Sequence, residues 1–169
     1  MPGQVIGKAL NLGYPGSDSH SSDTVKVNRI STGDIPFGAS VVLNPDNTVS
    51  AFGASNTADD FLGIAVRVVK QQTDIFLPMG SYHVNDPADV MVRGSVIVAF
   101  NGVGTPTAGG QAYIRVAEDS AYPGAAIGDI EAEADDTNDS NILLPNLRFT
   151  TGLTDATGVV EVTVLERRI

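Results

Sequence analysis

The sequence predicts an all-β protein, a single β-barrel or jelly-roll-like sandwich with an extended N-terminal arm. Three observations lead there. Eighteen glycines and nine prolines punctuate the 169 residues, at intervals of about eight to twelve. Between them lie short runs rich in Val, Ile, Thr and Phe, the pattern of a sandwich or barrel. No stretch of about eleven residues or more carries the apolar spacing of a helix.

The elements follow in order. Residues 1–23 form the arm, or a long loop. Val5, Ile6, Leu10 and Leu12 could make a short strand, but GYPGSDSHSSD after them offers too little apolar surface to order itself alone. Residues 24–169 form the domain. Thr24–Ile30 alternates, with Val25, Val27 and Arg29 on one face and Lys26, Asn28 and Ile30 on the other. Ile35-Pro36-Phe37-Gly38 reads as a turn feeding a strand over Ser40–Leu43. Pro45-Asp46-Asn47 is the next turn, because Pro presets φ while Asp and Asn tolerate the left-handed region. Thr48–Phe52 returns and completes a hairpin. Phe61–Val69 is the most apolar strand, and Gly63 inside it predicts a bulge or a close backbone approach. Thr73–Leu77 is another short strand. Val90–Phe100 is either one long strand bent at Gly94 or a hairpin. Gln111–Val116 alternates, Ile127–Glu133 is a short polar strand, and Asp135–Asn141 is an exposed loop. Leu147–Thr151 and Val159–Leu165 complete the sheet, the latter as an edge or closing strand.

Composition excludes several functions. The chain has no cysteine, so thiol catalysis, thiolate metal sites and disulfides are excluded, in keeping with assembly in a reducing cytoplasm. A compact chain of this length buries roughly 70% of its unfolded surface and needs no metal to fold. Its start lacks the apolar core of a signal peptide, and no apolar run nears the roughly 20 residues of a membrane span. Ten Lys and Arg against twenty Asp and Glu give a net charge of −10. The basic residues are scattered, so neither nucleic acid nor an anionic membrane is an expected partner.

No reactive constellation stands out, and neither an enzyme nor a cofactor is expected. His20 lies in the Ser-rich arm. Ser81, His83 and Asp86 or Asp89 could be drawn as a triad, but no G-x-S-x-G elbow occurs. Asp135, Thr137 and Asp139 space oxygens as a calcium loop would. The Gly and Glu such a loop needs at its sixth and twelfth positions are replaced by Ser140 and Asn146. Glu131 and Glu133 would share one strand face, as glycosidase carboxylates can, yet the chain has no Trp to stack on sugar. Many strands and few reactive groups point to a binding or structural module.

Several segments carry a family resemblance. They are Gly13-Tyr14-Pro15-Gly16, IPFGASVVL (35–43), FLGIAVR (61–67), DPADVMVRGSVIV (86–98), TPTAGGQAYI (105–114) and LRFTTG (147–152). In this order they resemble the head cement, or capsid decoration, proteins of tailed bacteriophages, over most of the chain. The resemblance implies a structural virion protein on the outer capsid surface, bound to the major capsid protein as a dimer or trimer and stabilising the expanded head. It brings no catalytic residues. The expected contacts are Tyr14, Pro15 and His20 of the arm, with Arg167 and Arg168 facing an acidic partner. The alternative is a glycan- or host-surface-binding module of a phage fibre or tail.

Overall fold

A computed structural model describes residues 12–19, 23–67, 80–135, 139–154 and 158–165. It contains eleven strands: β1 (Val25–Ile30), β2 (Ile35–Pro36), β3 (Ser40–Leu43), β4 (Val49–Ala51), β5 (Phe61–Ala65), β6 (Ser81–Tyr82), β7 (Pro87–Ala99), β8 (Gln111–Arg115), β9 (Ile130–Glu131), β10 (Asn141–Thr154) and β11 (Val159–Val164). No helix occurs among the described residues. One antiparallel sheet runs β4-β3-β5-β7-β11-β10-β8-β9, with β1 joined to β7 outside this path and β2 paired with β6. The fold is all-β and of the barrel or jelly-roll type. The sheet curls so that Val42, Phe61 and Ile64 at one end share a core with Ala112, Ile114 and Ile130 at the other.

Two cores, rather than one, explain the burial pattern. Phe61, Ile64 and Val66 enter the large core, whereas Leu62 and Ala65 enter a second one with Ile35, Phe37, Val41 and Tyr82. Every residue of β5 is therefore buried. Its side chains are sorted between two interiors, not between interior and water, and a register shift beside Gly63 puts Phe61 and Ile64, three residues apart, in the same core. Gly63 lies where β5 runs beside β7: a Cβ there would sit 2.0 Å from the Met91 carbonyl oxygen.

The stretch around Gly94 is one long strand. In its first half Met91 faces the large core while Ala88, Val90 and Val92 face the second; in its last half Val96 and Val98 face the large core. The parity flips because the pairing with β1 shifts register at Val25/Lys26, opposite Arg93 and Met91. Gly94 turns the corner at φ 120°. One extra residue in a strand exchanges its two faces. β10 repeats the device. Leu144 and Leu147 both face the large core across a register shift between Leu144 and Arg148. Exposed Pro145, which has no N–H to donate, sits in that gap.

The β3–β4 hairpin forms as its sequence predicts. Asn47 takes φ 67°, and the Asp46 carboxylate accepts from the Thr48 amide at 3.1 Å and its hydroxyl at 2.5 Å. Those bonds, the hydroxyl first, hold the Asp46 pKa below its ordinary value. β1 shows the predicted alternation, with Lys26, Asn28 and Ile30 exposed.

Other expectations are corrected. β11 is no edge, because β7 and β10 pair along its two sides, and it is buried over most of its length. Ile35-Pro36 is itself a short strand, and the turn follows at Pro36–Ala39. The polar strand expected over Ile127–Glu133 shrinks to Ile130–Glu131, both buried. β10 begins at Asn141, six residues before Leu147, since its first half pairs with β8. Thr73–Leu77, Val68 and Val69 lie outside the described residues.

Two outcomes test this packing. Gly63→Ala should destabilise by more than about 3 kcal/mol, since the Cβ meets backbone that cannot rotate aside; urea unfolding reads it. Tyr82 donates to the Val66 carbonyl at 2.6 Å, and burial pushes its pKa up to about 12. The folded state keeps the neutral phenol where the unfolded chain, near 10, has lost its proton. Tyr82's contribution is thus intact below about pH 10 and lost as the pH rises toward 12. Tyr82→Phe should cost about 1 kcal/mol at pH 7 and show a shallower alkaline loss than the parent chain.

Candidate functional site

The arm's described part is a turn held on the sheet. Tyr14-Pro15-Gly16-Ser17 closes with the Ser17 amide donating to the Tyr14 carbonyl at 2.9 Å. Pro15 presets its second position and Gly16, at φ 81°, supplies the positive φ of its third. The Gly16 amide donates to the Ile97 carbonyl at 2.7 Å, and the Gly16 carbonyl accepts from the Arg67 amide at 2.7 Å. A Cβ on Gly16 would lie 2.7 Å from the Arg67 nitrogen. Ser17 and Ser19 continue the pairing along Ile97 and Ser95 of β7, and Ser19 donates its hydroxyl to the Glu161 carboxylate. Lys26 reaches back to Asp18 at 2.5 Å, and Arg93 pairs with Asp23 at 2.5 Å.

This turn presents the most exposed large apolar side chain among the described residues, Tyr14, at 68%. The Arg67 guanidinium carbon lies 5.1 Å from the Tyr14 ring centre and 5.8 Å from that of Phe37. Pro15 is half-buried. Beside the turn runs a groove of about 380 Å³ between Gly13, Tyr14 and Pro15 on one side and Ala99, Asn101, Gly158 and Val159 on the other. Tyr14 and Pro15 therefore share one surface feature. His20, Arg167 and Arg168 lie outside the described residues. Arg67, which the sequence did not single out, joins them here; its only sequence signal was its place at the end of an apolar strand.

The residues weighed for chemistry are occupied otherwise. The His83 ring nitrogen Nδ1 lies 2.9 Å from Asp34, while Asp86 accepts from the His83 backbone amide at 2.7 Å. Nδ1 of His83 thus meets Asp34 rather than either acid of the drawn triad, and Asp89 accepts from Asn28 Nδ2 at 2.7 Å. Glu131 is fully buried against equally buried Arg115, whose Nε donates to Oε1 at 2.7 Å with Nη2 2.5 Å from the same oxygen. Arg115 Nη1 donates to Ser140 at 3.2 Å, Asn141 donates to the other Glu131 oxygen, and the Tyr122 ring covers the guanidinium at 5.8 Å. Glu131 is a neutralised structural anion, which ends the glycosidase reading. Across the 135–141 loop, Ser140 donates to Asp135 and the Asp135 amide to Asn141 at 2.9 Å. Residues 136–138 lie outside the described part, and no metal-holding group of His, Asp and Glu occurs among the described residues.

An exposed aromatic turn on an all-β body suits adhesion. Comparison with protein families agrees. The model of the structural cement protein family (E217 gp24/Pam3 gp6) matches residues 1–165. The chain belongs to that family. No curated protein matches it. Among solved structures, a chain from the capsid of Myoviridae phage XM1 superposes with a TM-score of 0.71 at 16% identity, over 98% of each chain, so the two share a fold. The role is that of a cement, or capsid decoration, protein.

For this cement protein the Arg115–Glu131 pair should behave as a buried ion pair does. Arg115→Met or Glu131→Leu alone should cost about 3–5 kcal/mol, because each strands a buried charge. The double variant should recover much of that loss. A double-mutant cycle by denaturant unfolding measures the coupling.

Proposed function

We propose that the protein sits on the outer surface of an icosahedral head and bridges neighbouring major capsid subunits, stabilising the expanded shell by binding alone, without a catalytic step. In this reading residues 1–23 serve as a contact arm on the 24–169 domain. Tyr14 and Pro15 are the central contacts, and His20, Arg167 and Arg168 are further ones. The single observation that carries the reading is Tyr14, 68% exposed on a turn that three backbone hydrogen bonds to Ile97 and Arg67 pin in place. An exposed, pre-positioned aromatic gives contact area with little entropy to lose.

The mechanism is mass action. A ligand that binds only the assembled, expanded lattice lowers the free energy of that lattice, by about 2.7 kcal/mol per site at a hundredfold excess over Kd. A dimer or trimer gains avidity, since its second contact forms intramolecularly. The net charge of −10 keeps the protein soluble at high copy number and away from packaged DNA. A cysteine-free chain also suits assembly in the host cytoplasm before incorporation into the virion.

Purified protein should co-sediment saturably with expanded capsids that lack it, and raise their melting temperature. It should leave procapsids and free capsid subunits unbound. Tyr14→Ala should weaken binding by about thirtyfold, equivalent to the roughly 2 kcal/mol of an aromatic hot spot. Failure to bind any capsid form, with binding on glycan arrays instead, would replace this reading with that of a fibre or tail module.

A further inference from the structure

Resting on the shell-binding reading, we infer that Arg67 is the carboxylate anchor of the Tyr14 face, taking an Asp or Glu side chain of the shell subunit in a two-bond fork. The described cations divide sharply. Lys26 holds Asp18, Arg93 holds Asp23, and Arg115 holds Glu131 in the interior. Arg29 is half-buried and donates to the Asn28 carbonyl at 2.8 Å. Arg148 is half-buried on β10. Arg67 is the exposed arginine that faces no carboxylate among the described residues.

Its surroundings suit that role. Its amide is fixed to the Gly16 carbonyl at 2.7 Å, so the root of the side chain cannot drift. The Tyr14 and Phe37 rings lie 5.1 and 5.8 Å from its guanidinium carbon. Aromatic contact engages the face of a guanidinium and leaves the in-plane N–H groups at its rim for an acceptor. Two parallel N–H donors match the two oxygens of a carboxylate. The ring of Tyr14 and the adjacent groove of about 380 Å³ can exclude water around such a pair once a partner covers them.

Charge selects the ligand class. The chain as a whole carries −10, and the segment from Glu118 to Asp139 contains eight acids and no Lys or Arg. A polyanion is repelled by that field, whereas a single carboxylate delivered by a docked protein surface meets one uncompensated cation at short range.

The test is equilibrium co-sedimentation with expanded capsids, using variants whose melting temperature matches the parent. Arg67→Ala should weaken binding by about thirtyfold. Arg67→Lys, which keeps the charge but loses the fork, should weaken it by about tenfold. Arg148→Lys should be neutral. Because the chain has no cysteine, Tyr14→Cys reports burial of this face through maleimide labelling, and it should be protected on the shell. If the parent binds saturably while Arg67→Ala or Arg67→Lys binds within twofold of it, the anchor is wrong and the shell-binding reading stands. If the parent binds no expanded shell, both fall together.

Discussion

β7 must line two interiors at once, and most of the architecture follows from how it does so. A regular strand shows one face to each side along its whole length. β7 instead exchanges its faces near Gly94, so that Val90 and Val92 fill the second core and Val96 and Val98 fill the large one. The exchange lets one strand join two groups of partners. β1 and β5 pair with its first half, and β11 and the arm with its last. Without the extra residue, half of these side chains would point the wrong way. β10 repeats the solution beside Pro145, joining β8 to β11. A curled sheet of short partners is thus organised around two long strands, each of which shifts register along its length.

The arm turn depends on the same strand. β11 occupies one edge of β7 along Ser95–Ile97, and the arm residues Gly16–Ser19 occupy the other. A sheet edge left open would invite pairing with foreign strands. Here the chain covers that edge with its own backbone, and the turn that leads into it lifts Tyr14 into solvent. The fold therefore produces the exposed aromatic as a consequence of covering an edge. Gly16 is the point of contact between the two demands, since only a residue without Cβ fits between Ile97 and Arg67.

Much of this was legible in the sequence, and the limits have physical causes. The β3–β4 hairpin was readable because its turn is encoded locally by Pro45, Asp46 and Asn47. The close approach at Gly63 was readable because a glycine inside an apolar strand marks a place where a side chain has no room or the strand bulges. The central place of β11 was not. Its clean alternation looks the same on an edge as in the middle, and only its distant pairing partners β7 and β10 decide between them. Arg115 and Glu131 each sat at a position of ordinary strand alternation sixteen residues apart, so nothing local announced a buried pair. Arg67 was hidden for a similar reason, because its partners Tyr14 and Phe37 come from distant segments. Tyr14 and Pro15 stood out because a Y-P-G-S turn is a local code, whereas the edge that receives it is not.

The buried ion pair and the exposed arginine show one residue type in two regimes. Arg115 is enclosed with a carboxylate, a serine and a backbone carbonyl. Its desolvation was completed on folding, and its partner fixes β8 against β9. An alternative packing would have to leave a charge unpaired in the interior, which costs several kcal/mol. Such a pair penalises wrong arrangements more than it favours the right one. Arg67 stays in water with its aromatic contacts in place and its carboxylate missing. Its desolvation is deferred until a surface covers it, so a partner that brings the matching acid completes the arrangement, while one that does not must bury an unpaired cation. The same penalty that selects the strand pairing inside would then select the partner outside. A protein that must bind one surface among many similar ones has use for that kind of discrimination.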